Sequence, residues 1–277
     1  MGKFLCFSLL LAASLGLIRA DATNAAPIFL DPNLEAAVRQ QVFAKRYTNS
    51  PLTAADVANV STVVANFRGI TNLAGLEHCK ALAALELAGN KVANLTPLTG
   101  LKQLQLLLLT SNRVSDIGPL GTLPALQYIE LSHNAVSELQ PLSTLTNLAS
   151  VYVGNNKIKS LAALTNLPRL VTLYAETNAI TSLEGVQNLS RLSGVSLSGN
   201  RIRDIGPLTG LRAPAFIFLE RNRIRDVSPL TAWLTNDLGG ARNFAPYLQL
   251  YLKGNPLNSR SKKLLSEWAT AGVRINP

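Results

Sequence analysis

The residues of this chain that could do acid–base chemistry are few. Four glutamates, Glu86, Glu130, Glu176 and Glu220, recur at related places, and His133 stands three residues after Glu130. Two carboxylates facing one cleft can serve as general acid and base, and a nearby imidazole can move a proton. The spacing works against that chemistry. On neighbouring parallel strands Glu86 and Glu130 fall two strands apart, about 10 Å at ordinary strand spacing. The sequence carries no nucleophile motif, phosphate-binding glycine loop or metal-ligand cluster, and His78 and His133 are isolated. No catalytic residue, metal or cofactor is therefore expected, and the chain reads as a binding protein.

The elements that position these residues follow from a repeat. Asn90, Asn112, Asn134, Asn156, Asn178, Asn200 and Asn222 are spaced by 22 residues without a slip, and Asn255 follows. Each closes the pattern L-x-x-L-x-L-x-x-N, as with Leu104, Leu107 and Leu109 before Asn112, or Leu148, Val151 and Val153 before Asn156. Pro214 is an exception among these apolar positions. Two residues after the Asn comes Val or Ile, from Val92 to Ile224, and five after comes Leu, Ile or Val, from Leu95 to Val227. Prolines at 97, 119, 141, 207 and 229 suit a short irregular or 3₁₀ back segment and exclude a long helix there.

A single unit is too small to bury its apolar columns, and stacking closes them into one continuous core. The Asn amide both donates and accepts, so it can satisfy backbone groups at the bend after the strand. These asparagines are read as a structural ladder. Asn222 to Asn255 spans 33 residues, so that unit carries eleven extra, around 231–246. This insertion reads as a tolerated surface segment, with a protruding contact loop as the alternative.

These motifs resemble the 22-residue leucine-rich repeats of bacterial internalins and of phosphatase-regulating proteins of the same repeat class. The resemblance covers roughly residues 27–277. It implies an α/β solenoid, a horseshoe with a parallel β-sheet on the concave face, 3₁₀ or irregular segments on the convex face, and helical caps at both ends. Asp31-Pro32-Asn33-Leu34-Glu35 looks like the start of the N-terminal cap helix, with Asp31 as N-cap and Pro32 at the first helical position. Residues 51–57 read as a second short helix. The expected organisation is an N-terminal helical cap at 27–62, about nine repeats at 63–256, and a C-terminal cap at 257–277 with a helix over roughly 259–269. The first repeat is degenerate, with Arg68 in the Asn place.

Residues 1–22 read as an export signal: Lys3 precedes a mostly apolar run from Phe4 to Ile18, and Ala20-Asp21-Ala22 offers a small-x-small cleavage site. A secreted or periplasmic protein is expected, with no transmembrane segment after cleavage. Cys79 would then be the single thiol; it occupies an inward apolar column and reads as core. The formal net charge of +10 falls to about +9 once Lys3, Arg19 and Asp21 are removed with the signal.

Residues flanking the inward pair of each strand should face the concave surface. Six of the sixteen positions six and four before each Asn are aromatic: Tyr128, Tyr152, Tyr174, Phe216, Phe218 and Tyr251. The chain as a whole is only 6% aromatic, so this face is enriched for contact. With Glu130, Glu176 and Glu220 these residues form the expected ligand-binding face for a protein partner. Tyr152 and Tyr174 should stand on adjacent strands and point to solvent. The positive charge lies instead on the rim, at Arg201, Arg203, Arg223 and Arg225 with Lys91, Arg113 and Lys157. An anionic surface polymer is the alternative partner. No nucleic-acid partner is expected, since no nucleic-acid-binding motif is present, and the chain is expected to be a monomer.

Overall fold

The apolar x-L-x core of each unit forms a three-residue strand. In the computed structural model, which describes residues 26–277, these are β1 (Thr62–Val64), β2 (Ala84–Glu86), β3 (Leu106–Leu108), β4 (Tyr128–Glu130) and β5 (Ser150–Tyr152), followed by β6 (Thr172–Tyr174), β7 (Gly194–Ser196), β8 (Phe216–Phe218), β9 (Gln249–Tyr251) and β10 (Arg274–Asn276). They pair in chain order into one open parallel sheet of ten strands. The export signal expected at 1–22 lies outside the described residues. Among the described residues no helix is long and apolar enough to cross a membrane.

The middle residue of each strand from β1 to β9 points into a core that runs the length of the coil. Behind the sheet the chain returns through short 3₁₀ turns, such as Thr96–Leu98, Gln140–Leu142 and Gly206–Gly210. The five recurrent prolines all fall in the first two positions of such turns, where the missing N–H would have no partner in any case. Pro214 is buried like the leucines whose column it occupies.

The asparagine ladder joins coils. Asn200 Nδ2 donates to the carbonyl of Leu197 in its own coil and to that of Ala175 in the coil before, both at 2.9 Å, while its Oδ1 accepts from the Ile180 amide at 3.0 Å. The same three bonds recur at Asn112, Asn134, Asn156, Asn178, Asn222 and Asn255. Asn90 bonds likewise, although Arg68 replaces Asn in the coil before it: its Oδ1 accepts from the amides of Arg68 and Ile70. Each amide therefore satisfies backbone groups that strand pairing leaves open.

The first coil is covered by two helices, α1 (Pro32–Arg39) and α2 (Ala54–Val57). Asp31 caps α1, accepting from the amides of Asn33 and Leu34, and its second oxygen accepts from the Thr71 amide at 2.8 Å. Burial alone would raise the Asp31 carboxyl, but bonds from the amides of Thr71, Leu34, Asn72 and Asn33 outweigh it and hold it below its ordinary value. Asp31→Asn is expected to cost about 1–2 kcal/mol at pH 7, from the loss of a charged cap. A depressed carboxyl contributes stability above its unfolded pKa of about 3.9 and loses it as pH falls through the folded value. The gap between wild type and variant in urea unfolding should therefore be full at pH 7 and shrink below about pH 4.

The eleven extra residues are folded and do not protrude as a loop. Within 231–246 nine residues form α3 (Thr231–Gly239), packed beside the 3₁₀ turn Ser228–Leu230 on the back of the coil. Trp233 donates to the Leu211 carbonyl at 3.2 Å and stacks on Phe244 at 4.5 Å, while Leu234 and Ala245 are fully buried. Asp237 accepts from the amides of Asn243, Phe244 and Ala245 and so closes the return of the chain. The apolar pair Trp233/Phe244 gives the insertion its own anchorage, which a solvated loop would lack.

At the other end α4 (Ser259–Thr270) buries Leu265 and Trp268. The residues after it add β10 to the sheet, with the Leu252 amide donating to the Asn276 carbonyl at 2.8 Å. Cys79 is fully buried, and burial, assisted by Glu77, pushes its thiol up to about 12. It sits in the core and not at a reactive surface.

Candidate functional site

Strand alternation puts the residues on either side of each buried one onto the concave face. On β4, β5 and β6 the rings of Tyr128, Tyr152 and Tyr174 form one patch, with centroids 5.1 Å apart for both successive pairs. Tyr152 meets Tyr174 edge to face at 74°, the arrangement favoured by ring quadrupoles. Leu106 and Leu108 on β3 extend this patch. On β8 and β9 a second patch holds Phe216, Phe218 and Tyr251, with Phe218 and Tyr251 stacked at 4.5 Å. Between the two, β7 offers only Gly194 and Ser196 to this face. A Cβ on Gly194 would lie 3.7 Å from the Tyr174 ring, so that ring leans over β7.

The aromatic rings are not simply solvent-facing. Phe216 is 41% exposed, but the other five are half-buried because they cover one another. Burial pushes the Tyr128 hydroxyl up to about 12, with smaller contributions from Tyr152 and Glu130. Rings packed in this way hold their orientation before any ligand arrives, which lowers the entropy lost on binding.

The four concave glutamates differ in what they already hold. Glu86 accepts from the Asn66 side-chain amide at 3.1 Å, Glu130 from the Ser132 amide at 2.7 Å, and Glu220 from the Ser198 hydroxyl. Glu176 accepts no hydrogen bond among the described residues, and its Oε2 is shielded from solvent. Its other oxygen occupies the space that a Cβ on Gly154 would fill. A shielded carboxylate oxygen without a donor is costly; Glu86, Glu130 and Glu220 each engage one oxygen, and Glu176 is the one of the four with neither oxygen hydrogen-bonded among the described residues.

The rim is basic. Arg203, Arg223 and Arg225 line a depression of about 430 Å³ with Asp226 and Pro256. Arg201 is exposed on the same edge but does not line it, and Lys91, Arg113 and Lys157 are exposed on other coils.

Residues 102–144 match the family model described as leucine-rich repeats in two copies. Among solved structures, internalin C2 from Listeria monocytogenes is 28% identical, with a TM-score of 0.69, over 83% of this chain and 95% of its own. The chain has the leucine-rich-repeat fold and is similar to internalin C2 over most of both lengths. A leucine-rich-repeat protein of Leptospira interrogans shares the fold at 20% identity and a TM-score of 0.65, over 81% of this chain and 62% of its own. The plant peptide hormone receptor RGFR1, in complex with RGF2, matches at 25% identity and a TM-score of 0.53, over 64% of this chain and 30% of its own. No curated protein sequence matches the chain.

In this leucine-rich-repeat coil the residue before each ladder Asn turns the corner with positive φ. The column runs Gly89, Ser111, His133, Asn155, Thr177, Gly199, Arg221 and Gly254, with φ between 52° and 78°. Phe67 keeps the same corner, at φ 57°, in the degenerate first repeat. His133 therefore has a place in the backbone. Its ring lies 3.4 Å from the Asn155 amide, while the Glu130 carboxylate turns to Ser132, so the two are not brought together as a proton-transfer pair. Among the described residues no group of three or more His, Cys, Asp or Glu could hold a metal.

Gly154 and Gly194 are site residues that aromatic and charge enrichment alone overlooks. The signal for them is present: glycine inside a strand column marks a close approach, and here the approaching groups are Glu176 and Tyr174.

Proposed function

We propose that this protein is exported and acts without catalysis, binding a protein partner on the concave sheet. The observation that carries the reading is the pair of pre-packed aromatic patches on either side of β7, with Glu176 holding an unused carboxylate beside them. Such a face favours an extended peptide segment. Apolar or aromatic side chains would fill the two patches, and a cationic or amide group would meet Glu176. The fold is compatible with this use, since a plant receptor of similar fold is known in complex with RGF2. The export part of the proposal rests on the Lys3 to Ala22 pattern.

A displayed library of random peptides, selected on the protein lacking residues 1–22, tests this. Enriched peptides should lose at least about 30-fold in affinity for Tyr152→Ala/Tyr174→Ala, the loss expected from one anchor residue of about 2 kcal/mol. The melting temperature should move by only a few degrees. Enriched peptides that bind the double variant unchanged would remove the concave face from the reading.

A further inference from the structure

We propose that Arg203, Arg223 and Arg225 form a receptor for the phosphate or sulfate ester groups of an anionic polymer. The repeat creates it. The residue two after each ladder Asn is buried, as Ile202 and Ile224 are, so those one and three after face outward. Consecutive coils are joined here by the bond from the Arg223 amide to the Ile202 carbonyl at 2.8 Å. The same column positions therefore stack at about one strand spacing, 4.8 Å. Arg203 stands next to Arg225, and Arg201 next to Arg223. Their side chains thus leave the backbone as neighbours, and like charges brought close there repel unless an anion lies between them.

Among the described residues no carboxylate is paired with these arginines: the ion pairs join Glu35 to Arg39, Asp56 to Lys45, Glu77 to His78 and Glu267 to Lys263. Asp226, the acid at the edge of the depression, is occupied by the Ser228 amide at 2.9 Å and the Ser228 hydroxyl at 2.7 Å. Asp204 likewise accepts from the Gly206 amide at 2.8 Å. The neighbouring carboxylates thus shape turns and leave the guanidinium groups free. A guanidinium fork matches the oxygens of a tetrahedral oxyanion better than an ammonium does, and the 430 Å³ depression accommodates one with its attached group.

The extent of the rim argues for a polymer over a single small ion. Two coils before Arg201/Arg203, Lys157 and Lys159 occupy the same outward positions, and the coil between carries Ala179 and Thr181. A chain with repeating negative groups could engage both basic doublets across that uncharged step, about 10 Å by strand spacing. Arg260, in the first turn of α4, adds positive charge beside Asp226. This site and the concave face are separate, and neither proposal depends on the other.

Two double variants with equal loss of charge decide it: Arg203→Gln/Arg225→Gln in the depression, and Lys91→Gln/Arg113→Gln on the same rim outside it. Polyphosphate and heparin serve as polymer probes, inorganic phosphate as the free ion, and phosphatidylglycerol vesicles as a lipid source. All four side chains are exposed, and a melting curve confirms that each variant folds. The Arg203/Arg225 variant should bind both polymers at least tenfold more weakly, with a salt slope shallower by one to two ions, while the control changes less than threefold. Inorganic phosphate should compete with polymer for the wild type. Equal loss in both variants, no polymer binding by the wild type at about 150 mM salt, or binding to vesicles alone would each overturn the proposal.

Discussion

Asn200→Ala should lower the unfolding free energy by about 2–4 kcal/mol, one of the two largest effects expected from a single side chain here. Asn200 is 6% exposed and is bonded to the Ala175 and Leu197 carbonyls and the Ile180 amide. Truncation orphans the Ile180 amide, at about 1–3 kcal/mol, and removes one of two side-chain donors from each carbonyl, at about 0.5–1.5 kcal/mol apiece, since Ala175 keeps Asn178 and Leu197 keeps Asn222; water entry holds the sum toward the lower end. Asn200→Asp should cost about as much. It keeps an acceptor for Ile180 but turns a negative oxygen toward two carbonyls. Asn112, making the same three bonds, is less buried, so water can replace more of them and Asn112→Ala should cost about 1–2 kcal/mol. Urea unfolding of the three variants measures this. A loss below 1 kcal/mol at Asn200, or equal losses at Asn200 and Asn112, would show that the ladder is not held by desolvated bonds.

The second large effect is Gly210→Ala, expected to cost about 2–4 kcal/mol because packed backbone must move. A Cβ at 210 would stand 2.6 Å from Gln187 Cα and 2.7 Å from Gln187 Cβ, both in the coil before. The obstruction is largely main chain, so no rotamer change relieves it. Gly210 does not have positive φ, so its requirement is the spacing between coils at the back of the solenoid. Gly239→Ala is the control: its Cβ would meet nothing within 4 Å and its φ is not positive. Gly210→Ala should melt about 5–15 °C below wild type and Gly239→Ala within about 2 °C of it, at 2–4 °C per kcal/mol for a chain of this size. Equal melting temperatures would mean that the coils separate at this point without cost.

A contrasting case is Gly154, where the obstructing atom is the end of the Glu176 side chain. A side chain can swing away, so Gly154 bears more on where Glu176 presents its carboxylate than on stability. The distinction between Gly154 and Gly210 cannot be drawn from residue type. It depends on whether a neighbour 22 residues away contributes backbone or a flexible tip.

Sequence alone determined the solenoid, because each coil contacts only the coils beside it and a strict 22-residue period therefore translates directly into stacking. The inward columns, the asparagine ladder, the proline-marked 3₁₀ turns and the concave position of Tyr128, Tyr152, Tyr174, Phe216, Phe218 and Tyr251 all follow from that period and from strand alternation. The tertiary structure decided what those positions hold. It divided the aromatic face into two patches at β7, left Glu176 without the donor that Glu86, Glu130 and Glu220 each have, folded the 231–246 insertion onto the back, and gathered three rim arginines around one depression. These outcomes depend on which side chains meet across coils and how each is oriented. Periodicity places an arginine or a glutamate on a surface; only its neighbours in space determine whether its charge is already satisfied.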